Sequence, residues 1–120
     1  MQNAHRLKPV DIGSVRIEDP VILAPLSGVS DLPFRQMVKR RGAGLVVSEM
    51  IASVAMVREN HKTLLMAKTT PEEFPMSVQL AGCEPQVMGD AAKLNEDRGA
   101  AIIDINFGCP VKKVAVGQAA

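Results

Sequence analysis

Four apolar segments of strand length alternate along this chain with segments that favour helices. The apolar segments are "PVILAP", "GLVVSEM", "FPMSVQLAG" and "AAIIDINFGCP". Their hydrophobicity is nearly unbroken, which is typical of strands that are buried on both faces of a sheet. Alternation of strands and helices predicts a parallel sheet whose strands are joined by right-handed crossovers. The chain is therefore expected to form an α/β fold.

The helix-forming segments have recognisable ends. In the first of them, Ser30 or Asp31 can cap the amino end, Pro33 is tolerated in the first turn, and Gly42 follows the last turn. Further helices are predicted over residues 52–57, 62–67 and 85–98. The strands are predicted over residues 21–24, then to about residues 48–50, then to about residue 79, and finally from about residue 100.

The residues before the first strand, "VDIG" and "SVRIED", predict a short β-hairpin that turns at Gly13 and Ser14. Two folds place strands and helices in this order, a (β/α)8 barrel and a doubly wound sheet. Composition does not separate them, although the hairpin suits the plug at the bottom of a barrel.

The tail "KKVAVGQAA" contains no complete helix to cover the fourth strand. A parallel sheet with one bare face exposes apolar surface and an open edge. We therefore expect the N-terminal piece of a longer protein, which in the barrel alternative is the N-terminal half of a (β/α)8 TIM barrel with a preceding β-hairpin, incomplete in this chain. The alternative is a small, complete four-stranded domain.

The composition excludes some classes of function for these residues. With three Phe, no Trp and no Tyr, the chain offers few rings on which single-stranded nucleic acid could stack. A net charge of +1 gives no electrostatic case for nucleic-acid binding by this segment. The two cysteines have no metal-binding spacing, and the N-terminus lacks the apolar region of a signal peptide. No apolar run reaches the roughly 20 residues that span a bilayer, so we expect a cytoplasmic protein.

The residues that follow the four strands are polar or contain glycine. They are "PLSG", "SEM", "QLAG" and "NFGCP". Because all strands of a parallel sheet end at the same face, these loops are expected to converge there. Ligands bind at this face in barrels and in open sheets. The sequence therefore predicts a small-molecule site at the carboxyl ends of the strands.

Cys109 is the most informative residue at this face. Its thiol could act as an acid or a nucleophile at the mouth of a pocket, and the alternative is a buried, unreactive cysteine. The amide of Gln79 suits the polar edge of a heterocycle such as a flavin or a pyrimidine, and Asn106 follows the same logic. For both amides the alternative is a solvated or turn-forming side chain. We expect Glu49 to bond backbone amides at the next helix start, and Arg35 to be a surface or structural ion-pair residue.

At these loops the sequence resembles the tRNA-dihydrouridine synthase family. The matching stretches are "APLSGVSDLPFR", "GAGLVVSEM", "SVQLAG" and "DINFGCPVKKV", in the order and spacing of the family. "NFGCP" followed by "KKV" is the most specific of them. The resemblance is to the bacterial branch that includes proteins named for nitrogen regulation, and it covers nearly the whole chain.

The resemblance implies a (β/α)8 barrel that holds FMN at its C-terminal face, followed by a helical domain that grips tRNA. Residues 1–120 would be the N-terminal part of the FMN-binding domain, without the rest of the barrel or the helical domain. Pro25, Leu26 and Ser27 resemble the loop that lies against the flavin. Gln79 resembles the glutamine that bonds the isoalloxazine edge.

The resemblance also implies a reaction. NADPH reduces FMN, the reduced flavin passes a hydride to C6 of a uracil in tRNA, and Cys109 protonates C5. Asn106 resembles a residue that contacts the target uracil, which must leave its stack to enter the pocket. The implied product is 5,6-dihydrouridine. The expected partner is tRNA, bound by a monomeric enzyme that uses no metal and no membrane.

Two other functions stay open. One is a flavin enzyme similar to dihydroorotate dehydrogenase that acts on a small molecule, and the other is a non-catalytic regulatory barrel. In the family that the chain resembles, the flavin-binding Lys and His and the Gly-rich phosphate loops come from later strands. We therefore predict that residues 1–120 alone bind FMN poorly and are inactive.

Overall fold

A parallel β-sheet with helices packed against it is the centre of the structure, a computed structural model that describes residues 7–108. The strands are β1 (Val10–Ile12), β2 (Val15–Ile17), β3 (Ile22–Leu23), β4 (Leu45–Val47), β5 (Ile51–Ala52), β6 (Met76–Ala81) and β7 (Ile102–Ile105). The helices are α1 (Leu32–Arg40), α2 (Ser53–Val57), α3 (His61–Ala67) and α4 (Pro85–Asp97), with a short 3₁₀-helix η1 (Pro71–Glu73). The predicted α/β class is confirmed, and each predicted helix is present close to its expected bounds.

The predicted hairpin is confirmed, and the segment that ends it lies against the amino end of β4. β1 and β2 pair antiparallel with Val10 opposite Ile17, and Gly13 has a positive φ of 57° at the turn. Ile17 is 1% exposed. A Cβ atom on Gly44, directly before β4, would lie 2.8 Å from the Ile17 side chain and 1.8 Å from the backbone oxygen of Asp19. The absence of a side chain at Gly44 therefore lets the hairpin segment pack closely against the start of β4.

The strands of the main sheet all run parallel and follow one another in chain order. β3 pairs with β4, β4 and β5 share one edge of β6, and β7 lies along the other edge. β4 and β5 behave as one strand interrupted at residues 48–50, because β4 pairs with the start of β6 and β5 pairs with its end. The sequence predicts β4 but not β5, which only the structure shows.

The apolar core lies between one face of the sheet and the helices. Alternate residues of β6, namely Met76, Val78 and Leu80, are at most 1% exposed and cluster with residues of α2, α3 and α4. The other buried members of this cluster are Ala43, Val46, Ile51, Met56, Ala67 and Ala91. Because successive side chains of a strand point to opposite faces, Ser77 and Gln79 lie on the other face of the sheet.

Helix α1 begins as predicted. The Asp31 carboxylate accepts a hydrogen bond from the N–H of Phe34 at 3.0 Å, and Pro33 lies in the first turn. Near the other end, the Lys39 ammonium donates to the backbone carbonyl of Gly44 at 2.8 Å. Burial lowers the pKa of Lys39 because desolvation disfavours its charged form. Both ends of α1 are thus tied to the backbone by side chains.

Arg35 forms a buried polar centre behind the first strand-end loop. Its Nε atom donates to Oε1 of Glu73 at 2.7 Å, and both side chains are 0% exposed. Its other two nitrogens donate to the backbone carbonyls of Ser30 at 2.9 Å and Lys68 at 2.7 Å. The second carboxylate oxygen of Glu73 accepts from the N–H of Thr70 at 3.1 Å. Of the two predicted alternatives for Arg35, a surface residue or a structural ion-pair residue, the structure confirms the second.

The side chains of His61 and Cys83 are exposed. His61 begins α3, and Cys83 lies in the turn before α4. Among residues 7–108, no helix has the length and apolar character needed to cross a bilayer. The same residues contain no group of three or more His, Cys, Asp or Glu side chains arranged to hold a metal ion.

Candidate functional site

The loops that follow the strands meet at the carboxyl end of the parallel sheet. Gln79 lies inside β6, directly opposite Asp104 of β7. Asn106 follows β7 immediately, and its N–H donates to the carbonyl of Leu80 at 2.9 Å. The structure therefore brings the two predicted amides to neighbouring strands. Cys109, the predicted proton donor, lies outside the described residues.

The loop after β3 is closed on itself by Ser30. The Ser30 hydroxyl accepts from the N–H of Leu26 at 2.9 Å and donates to the Leu26 carbonyl at 3.1 Å. Gly28 adopts a φ of 74°, a conformation that side chains disfavour. Leu26 is 44% exposed, Ser27 is exposed, and Pro25 is half-buried. The residues predicted to lie against a flat ring therefore form an ordered turn with an accessible surface.

Glu49 joins this turn to the next strand end. Its Oε1 atom accepts a hydrogen bond from the N–H of Gly28 at 2.6 Å. Glu49 does bond a backbone amide, but the predicted position of that amide is wrong. The amide belongs to the preceding loop and not to the start of the next helix. The reason is that β5 lies between Glu49 and α2 and separates the carboxylate from that helix start.

Replacing Glu49 by alanine in the full-length protein is expected to lower the free energy of unfolding by roughly 1 kcal/mol, because the Gly28 N–H loses a charge-assisted partner. Glu49→Gln keeps an acceptor oxygen and is expected to lose less stability than Glu49→Ala. Urea-induced unfolding measures both changes. Equal stability of the wild-type protein and the alanine variant would contradict a bridge between the two loops.

Ser48 fills a gap in the hydrogen-bond ladder of the sheet. The N–H of Gln79 lies where the pairing of β6 passes from β4 to β5. The Ser48 hydroxyl accepts from this N–H at 3.0 Å and donates to the Glu49 carbonyl at 2.9 Å. Ser48 is 0% exposed. The backbone position of Gln79 therefore depends on a buried hydroxyl.

The side-chain amide of Gln79 joins β6 to β7. Its Nε2 atom donates to Oδ2 of Asp104 at 2.6 Å, and its Oε1 atom accepts from Nδ2 of Asn106 at 3.2 Å. The Oδ1 atom of Asn106 accepts from the N–H of Gly108 at 3.0 Å. Gln79 is only 7% exposed. A primary amide has two hydrogens and two lone pairs, so these contacts leave Gln79 one donor and one acceptor.

Sequence reasoning gives no role to two members of this site. Asp104 is a carboxylate within the otherwise apolar run "AIIDI", and this isolated charge is the signal that could have indicated it. Ser48 follows the apolar run "LVV" and carries no comparable signal. Its role depends on the strand interruption, which only the structure shows.

Hydrogen bonds connect all four strand ends into one rim. The bond from Gly28 to Glu49 joins the first two loops, and the Ser48 hydroxyl joins the second to Gln79. The Gln79 amide then reaches the fourth strand end through Asn106. A rim of this kind holds donors and acceptors in fixed positions, which is the requirement for binding the polar edge of a planar ligand.

A protein-family model described as dihydrouridine synthase (Dus) matches residues 22–119 of this chain. These residues include β3 to β7 and all four strand-end loops. The match therefore covers the whole rim and leaves out residues 1–21, which include the hairpin, and residue 120.

Curated relatives agree with this match. The chain is 56% identical over 109 residues to a probable tRNA-dihydrouridine synthase from Rickettsia bellii, which covers 90% of this chain and 33% of the relative. It is 53% identical to a protein of the same name from Rhodobacter capsulatus, over 90% of this chain and 34% of the relative. It is 47% identical to tRNA-dihydrouridine synthase B from Pseudomonas syringae pv. tomato, over 90% of this chain and 32% of the relative. The chain thus spans about a third of the length of these relatives. The family match over most of its length confirms the resemblance read from the strand-end loops, and the chain belongs to the dihydrouridine synthase family.

Proposed function

We propose that this chain is part of a tRNA-dihydrouridine synthase, an enzyme that reduces the C5–C6 double bond of uridines in tRNA. The observation that carries the proposal is the 3.2 Å contact between Gln79 and Asn106. It joins the residue assigned to the cofactor with the residue assigned to the target base, shortly before Cys109 in the chain. Family membership and the names of the relatives support the same reaction.

We also propose that the sheet belongs to a (β/α)8 barrel. A doubly wound sheet reverses its strand order at a switch point, whereas these strands follow one another in chain order. Residues of α2, α3 and α4 all pack with the same face of β6. Chain-order strands with helices on one face are the arrangement that closes into a barrel. In this proposal residues 1–120 supply the N-terminal part of an FMN-binding domain that the rest of the protein completes.

The rim suits the flavin of FMN. After its contacts with Asp104 and Asn106, Gln79 retains one donor and one acceptor, which matches the mixed polar edge of an isoalloxazine ring. The accessible turn at residues 25–27 offers a surface on which the ring can lie. When bound, FMN that has been reduced by NADPH supplies the hydride for C6 of the base.

Cys109 is assigned the proton that completes the reduction. Hydride addition at C6 of the base places negative charge on C5 and O4, and an acid on the opposite face of the ring quenches that charge at C5. The Cys109 thiol gives this proton and recovers one from solvent. Asn106 retains one N–H hydrogen and one lone pair after its contacts with Gln79 and Gly108, with which it can hold the edge of the base.

Recognition of the tRNA fold is assigned to residues after position 120. The chain has three Phe, no Trp or Tyr and a net charge of +1, so it offers few rings on which bases can stack and little excess positive charge to attract phosphates. Folded RNA is recognised largely by shape and backbone contacts, which need a broad surface. In this proposal residues 1–120 hold the reacting base, and the remainder of the protein holds the tRNA.

The proposed function is tested by deleting the gene and measuring dihydrouridine in cellular tRNA by mass spectrometry. We expect dihydrouridine to disappear from one or more tRNA positions and to return when the full-length gene is restored. The purified protein is expected to reduce unmodified tRNA with NADPH and to leave dihydroorotate unchanged. An unaltered dihydrouridine content in the deletion strain, or turnover of dihydroorotate without action on tRNA, would refute the proposal.

A further inference from the structure

A series of side-chain hydrogen bonds runs from Asp104 through the amides of Gln79 and Asn106 to the N–H of Gly108, and each donor in it donates in the direction of Asp104. At one end of this series, the Asp104 carboxylate lies 2.6 Å from Nε2 of Gln79. An ionised carboxylate can only accept hydrogen bonds, so it must face a nitrogen of the neighbouring amide. The backbone register places Gln79 directly opposite Asp104, which holds the two groups together.

The orientation of the second amide follows from that of the first. With Nε2 of Gln79 facing Asp104, Oε1 faces Asn106 and requires a donor, which is Nδ2 at 3.2 Å. The oxygen of Asn106 is then left to accept from the N–H of Gly108 at 3.0 Å. A backbone N–H can only donate, so the series is consistent at both ends. If either amide were rotated by half a turn, two donors or two acceptors would meet.

We propose that Asp104 is a positioning residue that fixes the orientation of the Gln79 and Asn106 amides, and through them the bond to the Gly108 N–H. The remaining donor and acceptor of each amide then stand in one defined pattern at the rim. The part of this inference that concerns the ligand rests on the proposed function, because it takes the pattern to be the one that the flavin and the base require. The orientation of the amides is independent of it.

The chemistry of an amide explains why such control matters. The oxygen and nitrogen of a primary amide have nearly the same shape, so packing alone distinguishes the two orientations weakly. When an amide has the wrong orientation, its donor meets a donor of the ligand, or its acceptor meets an acceptor. Leaving a buried polar group unpaired in this way weakens binding by roughly 10- to 100-fold. Only a group restricted to accepting, such as the Asp104 carboxylate, excludes the wrong orientation from its end of the series.

The decisive variant is Asp104→Asn in the full-length protein. Asparagine has the shape of aspartate, but it can donate or accept, so residue 104 no longer sets the direction of the series and only the Gly108 N–H still opposes the reversed direction. We expect FMN binding, measured by equilibrium dialysis, to weaken by about tenfold. In protein without FMN and labelled with ¹⁵N-glycine, we expect the Gly108 N–H to exchange with solvent faster, because it loses its acceptor in the reversed series. Asp104→Glu, which can only accept, is expected to recover part of both properties.

Asp90→Asn is the matched control. Asp90 accepts from Nε2 of Gln86 at 3.0 Å on the exposed surface of α4, so it is a carboxylate–amide pair remote from the rim. This variant is expected to leave FMN binding and Gly108 exchange unchanged.

Wild-type FMN affinity and wild-type Gly108 exchange in Asp104→Asn would overturn the inference. If Asp104→Asn fails to fold, a fully folded Asp104→Glu variant with Gly108 exchange as fast as in an Asp104→Ala variant would also overturn it. Faster Gly108 exchange in a protein whose wild-type form binds no FMN would support the positioning role and refute the proposed function. The two ideas can therefore fail separately.

Discussion

Cys109→Ala in the full-length protein is expected to lower kcat for dihydrouridine formation by about 100- to 10,000-fold, the usual contribution of a general acid. A methyl group cannot supply the proton that C5 of the base requires. In the proposed function the thiol acts when charge develops on the base, so FMN binding and the KM for tRNA are expected to change little. Single-turnover reduction of unmodified tRNA, with the product measured by mass spectrometry, gives the rate directly.

Two further variants make this prediction specific. Cys83→Ala is the matched control, because Cys83 is exposed in the turn before α4, and the variant is expected to keep the wild-type rate. Cys109→Ser is expected to remain slow, since a hydroxyl releases its proton far less readily than a thiol. A wild-type kcat in Cys109→Ala would show that another group protonates C5 and would remove Cys109 from the reaction.

Arg35→Ala is expected to lower the free energy of unfolding by about 3–5 kcal/mol, the usual cost of removing one partner of a buried ion pair. The variant leaves the carboxylate of Glu73 buried without its cation, where both side chains are now 0% exposed. It also removes the donors to the carbonyls of Ser30 and Lys68. Because Ser30 closes the turn at residues 25–27, FMN binding is expected to weaken as well. Urea-induced unfolding and equilibrium dialysis measure the two effects.

Arg40 provides the control for this prediction. It pairs with Glu72, so it joins the same two elements, α1 and η1, but its side chain is 65% exposed and that of Glu72 is 38% exposed. Arg40→Ala is therefore expected to cost less than about 1 kcal/mol. Arg35→Lys is expected to lie between the two alanine variants, because one ammonium cannot reproduce the fixed fork of a guanidinium. If Arg35→Ala and Arg40→Ala lowered the free energy of unfolding equally, burial of the Arg35–Glu73 pair would not explain its contribution to stability.

Much of the fold could be predicted because its signals are local. Asp31 caps α1 through its own side chain, and Pro33 and Gly42 limit the same helix through their backbone preferences. The hairpin follows in the same way from the glycine at its turn. The interruption of the second strand at residues 48–50 was not predictable, since "SEM" contains neither glycine nor proline.

The candidate site was predicted in part. The sequence predicts that Gln79 and Asn106 lie at the carboxyl end of the sheet, because an amide next to an apolar run is conspicuous, and the structure brings the two side chains into contact there. The role of Asp104 does not follow from the sequence, because this residue lies within a strand and its partner is the side chain opposite to it on β6. For Glu49 the sequence predicts the right kind of partner, a backbone amide, but in the wrong loop, because nothing in the sequence indicates β5.

The sequence by itself determined which segments become strands and helices, and that polar loops follow the strands, since these properties depend on the order of apolar and polar residues along the chain. Only the tertiary structure decided which strands are neighbours and which side chains pair across them. Those contacts depend on strand register: Gln79 meets Asp104 because β6 and β7 are aligned with these residues opposite each other, and a shift of one residue would turn one of them to the other face of the sheet.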